Sequence, residues 1–253
     1  MLPESSHVRT VYLNAIIPAL AASSSPSKIL LDSSTIDPNT SLEISGLLSS
    51  KFPTMSFYDA PVSGGVLGAV AGTIAIFLGC SPTDPNLPLL TSLLSLMGSK
   101  VIPCGGPSLG LAAKLSNNYL SGIITIATSE AMDMGMRAGI DAEVLASVFK
   151  AGTAQNTICD VFNPVPGVCA QAPASRGYTG GFRVELMKKD MRLAVEMAGR
   201  VGSRNVLGVG GLGVYSAAAE DGRCRGLDSR VVFRWLGGRE DWKAGDGGGD
   251  DVD

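Results

Sequence analysis

The 253-residue sequence has few of the residues that several enzyme classes require. Its single histidine is His7, so a Ser-His-Asp or Cys-His site would have to use that one side chain. The five cysteines are widely spread and none forms a CxxC pair. This spacing argues against a zinc site and a disulfide framework, and it favours a reducing compartment. With a net charge of -3 and no basic patch, the sequence also argues against a nucleic-acid partner.

Targeting and membrane signals are absent as well. The first residues contain no basic segment followed by an apolar run, as a secretion signal would. They are not rich in arginine and they include Glu4, which argues against a transit peptide. The longest apolar stretch, 111–137, carries Lys114 and Asn118 near its start, so we expect no membrane span.

What is present is the composition of a globular protein, with 45% hydrophobic and 17% charged residues. The first hundred residues alternate between strand and helix patterns, and the residues after Gly106 have mostly helical patterns. This order predicts an α/β fold followed by an all-α domain. The expected domains are 1–105 and 106–242, with a disordered acidic tail at 243–253. The expected strands are Ile29–Leu31, Met55–Ala60, Thr73–Leu78 and Lys100–Pro103; the expected helices are Pro38 to about Ser50, capped by Asp37, then Pro82–Met97, Leu111–Arg137, Ala142–Lys150, Phe182–Val201 and Gly211–Ala219, with a loop at Ile158–Gly181.

A lysine and an asparagine lie one helical turn apart in the long apolar helix. Lys114 and Asn118 share one face, and Gly122 continues it with space for a ligand. Desolvation lowers the pKa of a buried lysine toward neutrality, where it can exchange a proton with a substrate hydroxyl. The alternative is a lysine that extends its ammonium group into solvent from the start of the helix.

Two further segments have polar or flexible residues suited to an anion. Asp59 to Gly65 follows a strand, and Ser63, Gly64 and Gly65 offer a hydroxyl and backbone N–H groups to a carboxylate or phosphate. Lys188-Lys189-Asp190 offers a second cationic point on a later helix. A plain strand-to-turn connection and a solvated helix face are the respective alternatives.

The sequence also contains a literal GxGxxG, from Gly208 to Gly213, with Asp228 at a suitable distance beyond it. A nucleotide-binding loop of this type needs a strand before it and a helix after it, within a βαβ unit. Only Asn205-Val206-Leu207 precedes the motif, and its neighbours are helical. We therefore expect it not to bind a nucleotide.

Together and in this order, the segments resemble the β-hydroxyacid dehydrogenase family. DAPVSGGVLGAVAGT (59–73) resembles the family's substrate-binding signature, and CGGPSLGLAAKLSNN (104–118) its catalytic segment. GFRVELMKKDMRLA (181–194) resembles its later lysine-aspartate helix. MLP at the start and LLDSSTIDP (30–38) resemble two segments on the nucleotide side, and SEAMDMGMRAGID (129–141) also fits.

The resemblance implies a Rossmann-type domain that binds NAD, or alternatively NADP, followed by an all-α domain like that of 6-phosphogluconate dehydrogenase. It implies oxidation of 3-hydroxyisobutyrate or a related β-hydroxyacid to the semialdehyde, as in valine catabolism, with a mitochondrial or alternatively cytoplasmic location. The implied partners are a small hydroxyacid and further copies of the chain. The implied roles are catalysis for Lys114, substrate binding for Ser63, Gly64, Gly65 and Asn118, and cofactor binding for Leu2, Pro3, Thr35 and Lys189.

The sequence departs from the family pattern at its start, because the strand, glycine loop and helix that hold the pyrophosphate are not found. One hypothesis is therefore an NAD-dependent enzyme of which this chain is a fragment. A second is a non-catalytic relative that binds a small carboxylate or only oligomerises. A third is a reductase for glyoxylate or tartronate semialdehyde. A phosphogluconate enzyme is less favoured, because no histidine lies beside Asn118.

Overall fold

The computed structural model describes residues 1–24 and 27–244. These residues form two compact units. The first comprises Met1–Tyr119 and Arg192–Asn205, and the second Leu120–Met191 and the chain from Val206 onward. The first unit contains parallel strands and the second is helical, so the predicted α/β plus all-α fold is confirmed. The domain boundary after residue 105 stays a prediction. Most of the predicted tail lies outside the described residues; residues 243 and 244 belong to a 3₁₀ turn, Trp242–Ala244.

The strands of the first unit are short. Strand β1 (Ile29–Asp32) pairs in parallel with β2 (Ser56–Asp59), so that Asp32 lies beside Asp59. Strand β4 (Ala75–Leu78) pairs in parallel with β5 (Lys100–Pro103) and antiparallel with β3 (Val62–Ser63). The Gly79 N–H donates to the Asp59 carbonyl at 2.7 Å, which ties β2 to the end of β4.

The first described helix was not predicted. It begins as α1 (Ser5–Val11), widens into a π turn at Tyr12–Ile16 and ends as α2 (Ile17–Ala21). Tyr12 is buried and meets the edge of Phe57 with ring centroids 5.6 Å apart. Because a π turn shifts the helical repeat, the apolar residues do not follow a single 3.6-residue period that sequence analysis could detect.

The other helices of the first unit have recognisable starts. Helix α3 (Pro38–Lys51) begins as predicted, with Pro38 in its first turn and the Asp37 side chain accepting from the Asn39 N–H. Helix α4 (Gly65–Val70) is a single short turn after β3 and was not predicted. Helix α5 (Leu87–Leu94) is shorter than the predicted Pro82–Met97. The reason is Asp84, whose carboxylate accepts from the Asn86 N–H and the Tyr58 hydroxyl and holds the preceding residues in a turn.

The second unit consists of helices. Asp141 starts α7 (Ala142–Ala151) by accepting from two backbone N–H groups. Asn156 does the same for α8 (Thr157–Val161), which overlaps the segment predicted as loop. Asp228 is buried and accepts from the Phe182 N–H at 2.7 Å, while a methyl group at Gly181 would overlap its carboxylate. None of the described helices is long and apolar enough to span a membrane. The helices are α6 (Leu109–Arg137) and α9 (Val184–Arg200), which also contribute residues to the first unit, with α7 (Ala142–Ala151), α8 (Thr157–Val161), α10 (Gly208–Glu220) and α11 (Val232–Trp235).

Candidate active site

Lys114 and Asn118 lie one turn apart near the start of α6. Only 7% of Lys114 and 6% of Asn118 is exposed. A lysine this deeply covered does not extend its ammonium group into solvent, so the structure excludes the solvent-exposed alternative. The Asn118 carbonyl oxygen accepts from the Asn117 side-chain amide at 3.1 Å, which orients the Asn118 side chain. The first unit therefore carries a buried amine and an oriented amide on one helix face.

Ser63, Gly64 and Gly65 form a tight connection between β3 and α4. Gly64 and Gly65 have φ of 139° and 62°, where a side chain is strained, and a methyl group at Gly64 would lie 3.2 Å from Ile74. Both glycines are exposed, and Ser63 is half-buried. The connection therefore has exposed main chain beside a hydroxyl, the features that a carboxylate-binding loop requires.

Asp59 links this loop to the helix of Lys114. Its carboxylate accepts from the Ser108 N–H at 2.7 Å and from the Leu111 N–H at 2.8 Å, at the start of α6. Burial raises the pKa of Asp59, and these two hydrogen bonds oppose that effect. Sequence analysis included Asp59 in the motif without assigning it a role. The available signal was an acidic residue at the end of a strand.

The two segments expected on the nicotinamide side also meet. The Leu2 N–H donates to the Ser34 hydroxyl at 2.8 Å, and the Ser34 N–H donates to Asp32 at 2.9 Å. Thr35 follows and is half-buried, while Pro3 is exposed. These residues lie beyond the carboxyl end of β1, the edge at which open parallel sheets bind nucleotides. Ser34 was missed as a candidate, although its hydroxyl joins the two segments.

Lys189 belongs to the second unit, so the structure does not gather it into the same unit as the other candidates. It is 8% exposed, and its ammonium group lies 3.0 Å from a carboxylate oxygen of the buried Asp190. Lys188 is more exposed and pairs with Glu220. The solvated-face interpretation therefore holds for Lys188 and fails for Lys189.

The second unit contains Gly122, which was expected to leave space for a ligand, and the GxGxxG sequence, which was expected not to bind a nucleotide. Gly122 does not leave space for a ligand, because a methyl group there would lie 3.0 Å from the sulfur of Met191 and 3.3 Å from the Tyr215 ring. Its carbonyl also accepts from the Tyr215 hydroxyl at 2.9 Å. The GxGxxG sequence lies at the start of α10, where it forms helix and not a phosphate-binding turn. The expectation that it is not a nucleotide loop agrees with this geometry.

The described residues fit one side of a dinucleotide. The Leu2–Ser34 hydrogen bond lies beyond the end of a parallel strand, the edge at which open parallel sheets bind nucleotides. Within 1–24 and 27–244, no GxGxxG turn joins a strand to a helix, so the group that would hold the pyrophosphate is not identified. That a glycine-rich segment precedes this chain stays a prediction. In the same ranges, no group of three or more His, Cys, Asp or Glu side chains is arranged to hold a metal ion.

Two family models cover almost the whole chain. Residues 1–106 match the NAD binding domain of 6-phosphogluconate dehydrogenase, and residues 109–236 match a family described as NAD-binding of NADP-dependent 3-hydroxyisobutyrate dehydrogenase. These matches support an enzyme that binds NAD or NADP.

Curated relatives and solved structures agree with the family models. The chain is 41% identical to a probable mitochondrial 3-hydroxyisobutyrate dehydrogenase of Dictyostelium discoideum, over 93% of this chain and 71% of the relative. It is 37% identical to 3-hydroxyisobutyrate dehydrogenase of Pseudomonas aeruginosa, over 95% and 79%. The structure of Mycobacterium tuberculosis 3-hydroxyisobutyrate dehydrogenase with L-serine superposes with a TM-score of 0.83 at 33% identity, over 93% of this chain and 77% of that one. On these grounds the chain belongs to the 3-hydroxyisobutyrate dehydrogenase group of the β-hydroxyacid dehydrogenases, a family of NAD(P)-dependent oxidoreductases.

Proposed function

We propose that this chain oxidises 3-hydroxyisobutyrate, or a β-hydroxyacid of similar size, to the semialdehyde. The observation that carries the proposal is the buried pair Lys114 and Asn118 on α6. The start of that helix is held by Asp59, which lies four residues before the Ser63–Gly65 loop. The names of the relatives supply the substrate class.

Lys114 is the proposed catalytic residue. Oxidation of an alcohol requires the proton to leave the hydroxyl oxygen as hydride leaves the carbon that bears this oxygen. A lysine shielded from water can take that proton as a general base, and its position on a rigid helix keeps it in reach. Asn118 orients the substrate through its amide. Ser63, Gly64 and Gly65 hold the substrate carboxylate through the hydroxyl and backbone N–H groups.

NAD, when bound, supplies the hydride acceptor, and NADP is the alternative cofactor. Leu2, Pro3 and Thr35 would line the nicotinamide and ribose, since the hydrogen bond from Leu2 to Ser34 brings these segments together. Lys189 is also proposed to bind the cofactor, and its ammonium group is shielded and paired with Asp190.

Lys114→Ala tests the assignment, with the exposed Lys150→Ala as a matched control. In a purified form that binds cofactor, kcat should fall by about 10²- to 10⁴-fold, the usual contribution of general acid-base catalysis. The Kd for NAD should stay close to that of the unmodified chain in both variants. Near-normal turnover in Lys114→Ala would remove the lysine from its role. If the unmodified chain transfers no hydride with NAD or NADP, a non-catalytic relative that binds a small carboxylate becomes the better account.

L-serine is the second candidate substrate, because the Mycobacterium tuberculosis relative has been solved with it. L-serine and 3-hydroxyisobutyrate both carry a hydroxymethyl group and a carboxylate on one carbon. They differ where an ammonium group replaces a methyl group. The ratio of the two kcat/KM values decides between them, and the reverse reaction with glyoxylate or tartronate semialdehyde tests the reductase alternative.

We further propose a mitochondrial location, a role in valine degradation and a homo-oligomeric state. The first is supported by relatives that are named mitochondrial, and the second follows from the proposed substrate. Fractionation of cells that express the native transcript tests the location. Light scattering of the purified chain gives the number of copies.

A further inference from the structure

We propose that Asp59 is a positioning residue that holds the helix of Lys114 and Asn118 in register with the Ser63–Gly65 loop. The inference rests on the proposed function for the roles of Lys114 and the loop. It adds a residue that contacts both parts of the proposed substrate site within one compact unit. The side chain of Asp59 holds the helix, and its main chain leads into the loop.

The side chain of Asp59 holds the helix. Its two carboxylate oxygens accept from the Ser108 and Leu111 N–H groups, one oxygen for each. Ser108 immediately precedes α6 and Leu111 lies in its first turn, where N–H groups have no partner within the helix itself. Leu111 precedes Lys114 by about one turn, so a shift at the helix start moves Lys114 with it.

The main chain of Asp59 starts the loop. Asp59 ends β2 in register with Asp32, and its carbonyl accepts from the Gly79 N–H at 2.7 Å. Ser63 follows four residues later, paired with Ala75 of β4. The backbone is therefore fixed on two sides before the loop begins.

The carboxylate has no room to move. Asp59 is 2% exposed. A methyl group at Gly79 would overlap its carboxylate, and one at Gly110 would lie 2.8 Å from its Oδ2. The two glycines let β4 and α6 approach the acid closely. A side chain enclosed this tightly fixes the position of the helix that carries Lys114. This position matters because misplacement of a catalytic group by about 1 Å costs on the order of 10²-fold in rate.

Asp59→Asn tests the proposal with little change in shape. The amide oxygen can accept from only one of the two N–H groups, and its NH₂ faces the other, so the helix start must shift. Burial raises the pKa of the native acid, so removal of the charge relieves a cost and should keep the protein folded. We expect kcat for the hydroxyacid to fall by about 10- to 100-fold, with the Kd for NAD close to that of the unmodified chain. The melting temperature should fall by a few degrees and leave the protein folded at the assay temperature, because one unmade buried hydrogen bond costs about 1–3 kcal/mol.

Asp141→Asn is the control at another helix start, where a single carboxylate oxygen of an exposed aspartate accepts from two N–H groups, at 2.8 and 3.0 Å. Helix α7 carries none of the proposed site residues, so kcat should not change. An unchanged kcat in Asp59→Asn, or an equal loss in both variants, would overturn the proposal.

A second readout is independent of activity. Acetylation of Lys114, mapped by mass spectrometry, should be several-fold faster in Asp59→Asn, while the exposed Lys100 reacts at its usual rate in both. In the unmodified chain, the Ser108 and Leu111 amides should be protected from hydrogen exchange. If the chain proves inactive, the proposed function fails, and these two measurements still decide the role of Asp59. Equal acetylation in both proteins, or unprotected amides, would refute it.

Discussion

The glycines of the GxGxxG sequence offer a sharp test, because two of them should respond differently to alanine. Gly213 lies inside α10, is exposed, and has no atom within 4 Å of the place where a methyl group would lie. Gly213→Ala should therefore stabilise the folded protein by the full difference in helix propensity between alanine and glycine, about 1 kcal/mol. Gly211 is buried, and the same methyl group would lie 2.6 Å from the Ile123 Cδ1 and 2.8 Å from the Met191 Cε.

The difference between the variants can be worked out from these contacts. Gly211→Ala gains the same helix preference but crowds a close-packed site, at a cost of about 1–3 kcal/mol. Gly213→Ala should raise the melting temperature by about 2–4 °C, as expected for about 1 kcal/mol in a chain of this size. Gly211→Ala should melt lower than Gly213→Ala by an amount that corresponds to the crowding cost.

Thermal unfolding followed by circular dichroism measures both effects, and NAD binding is measured on the same samples. Neither variant should change the Kd for NAD, since the sequence forms a helix. Loss of NAD binding in the folded Gly213→Ala variant would mean that these glycines do serve a nucleotide. Equal melting temperatures would refute the packing argument at Gly211.

Two further outcomes follow from backbone strain and from a buried thiol. Ser108 has φ of 62°, so Ser108→Gly should relieve strain and raise the free energy of unfolding by about 0.5–1 kcal/mol in a denaturant titration; a lower value would contradict the strain argument. Burial raises the pKa of Cys80 from 9.0 to about 11, so the folded state holds this proton more tightly than the unfolded chain. Its stabilising contribution should be complete below pH 9 and be lost as the pH rises to about 11, so Cys80→Ala should show a shallower fall in stability over that range; an identical slope would exclude this thiol.

Elements with a strong local signal were predicted well. The proline and aspartate that start α3 satisfy the first N–H groups of a helix locally, so their spacing is visible in the sequence. The runs at β1, β2 and β5 are apolar or β-branched and end at recognisable breaks. The residue pattern left open whether Lys114 is buried or extends into solvent, and the structure shows that Lys114 and Asn118 are both buried.

The missed features depend on contacts between distant segments. The Gly64–Gly65 turn was identified, but β3 exists only because Ser63 pairs with Ala75, and α4 depends on that turn. Asp59 accepts from residues about fifty positions away, which no local pattern records. Gly122 was misjudged for the same reason. A glycine leaves a space, but only the structure shows that Met191 fills it.

The glycines beside the two buried aspartates have a consequence for sequence change over time. The three atoms nearest to a methyl group at Gly79 all belong to Asp59. The three nearest at Gly181 all belong to Asp228. The identity of each glycine is thus conditional on an acid elsewhere in the chain. If the acid is shortened to alanine, the glycine loses its constraint, so the double change should cost less than the sum of the single changes. Each pair should therefore evolve as one character, because a side chain at the glycine is tolerated only after the acid has changed.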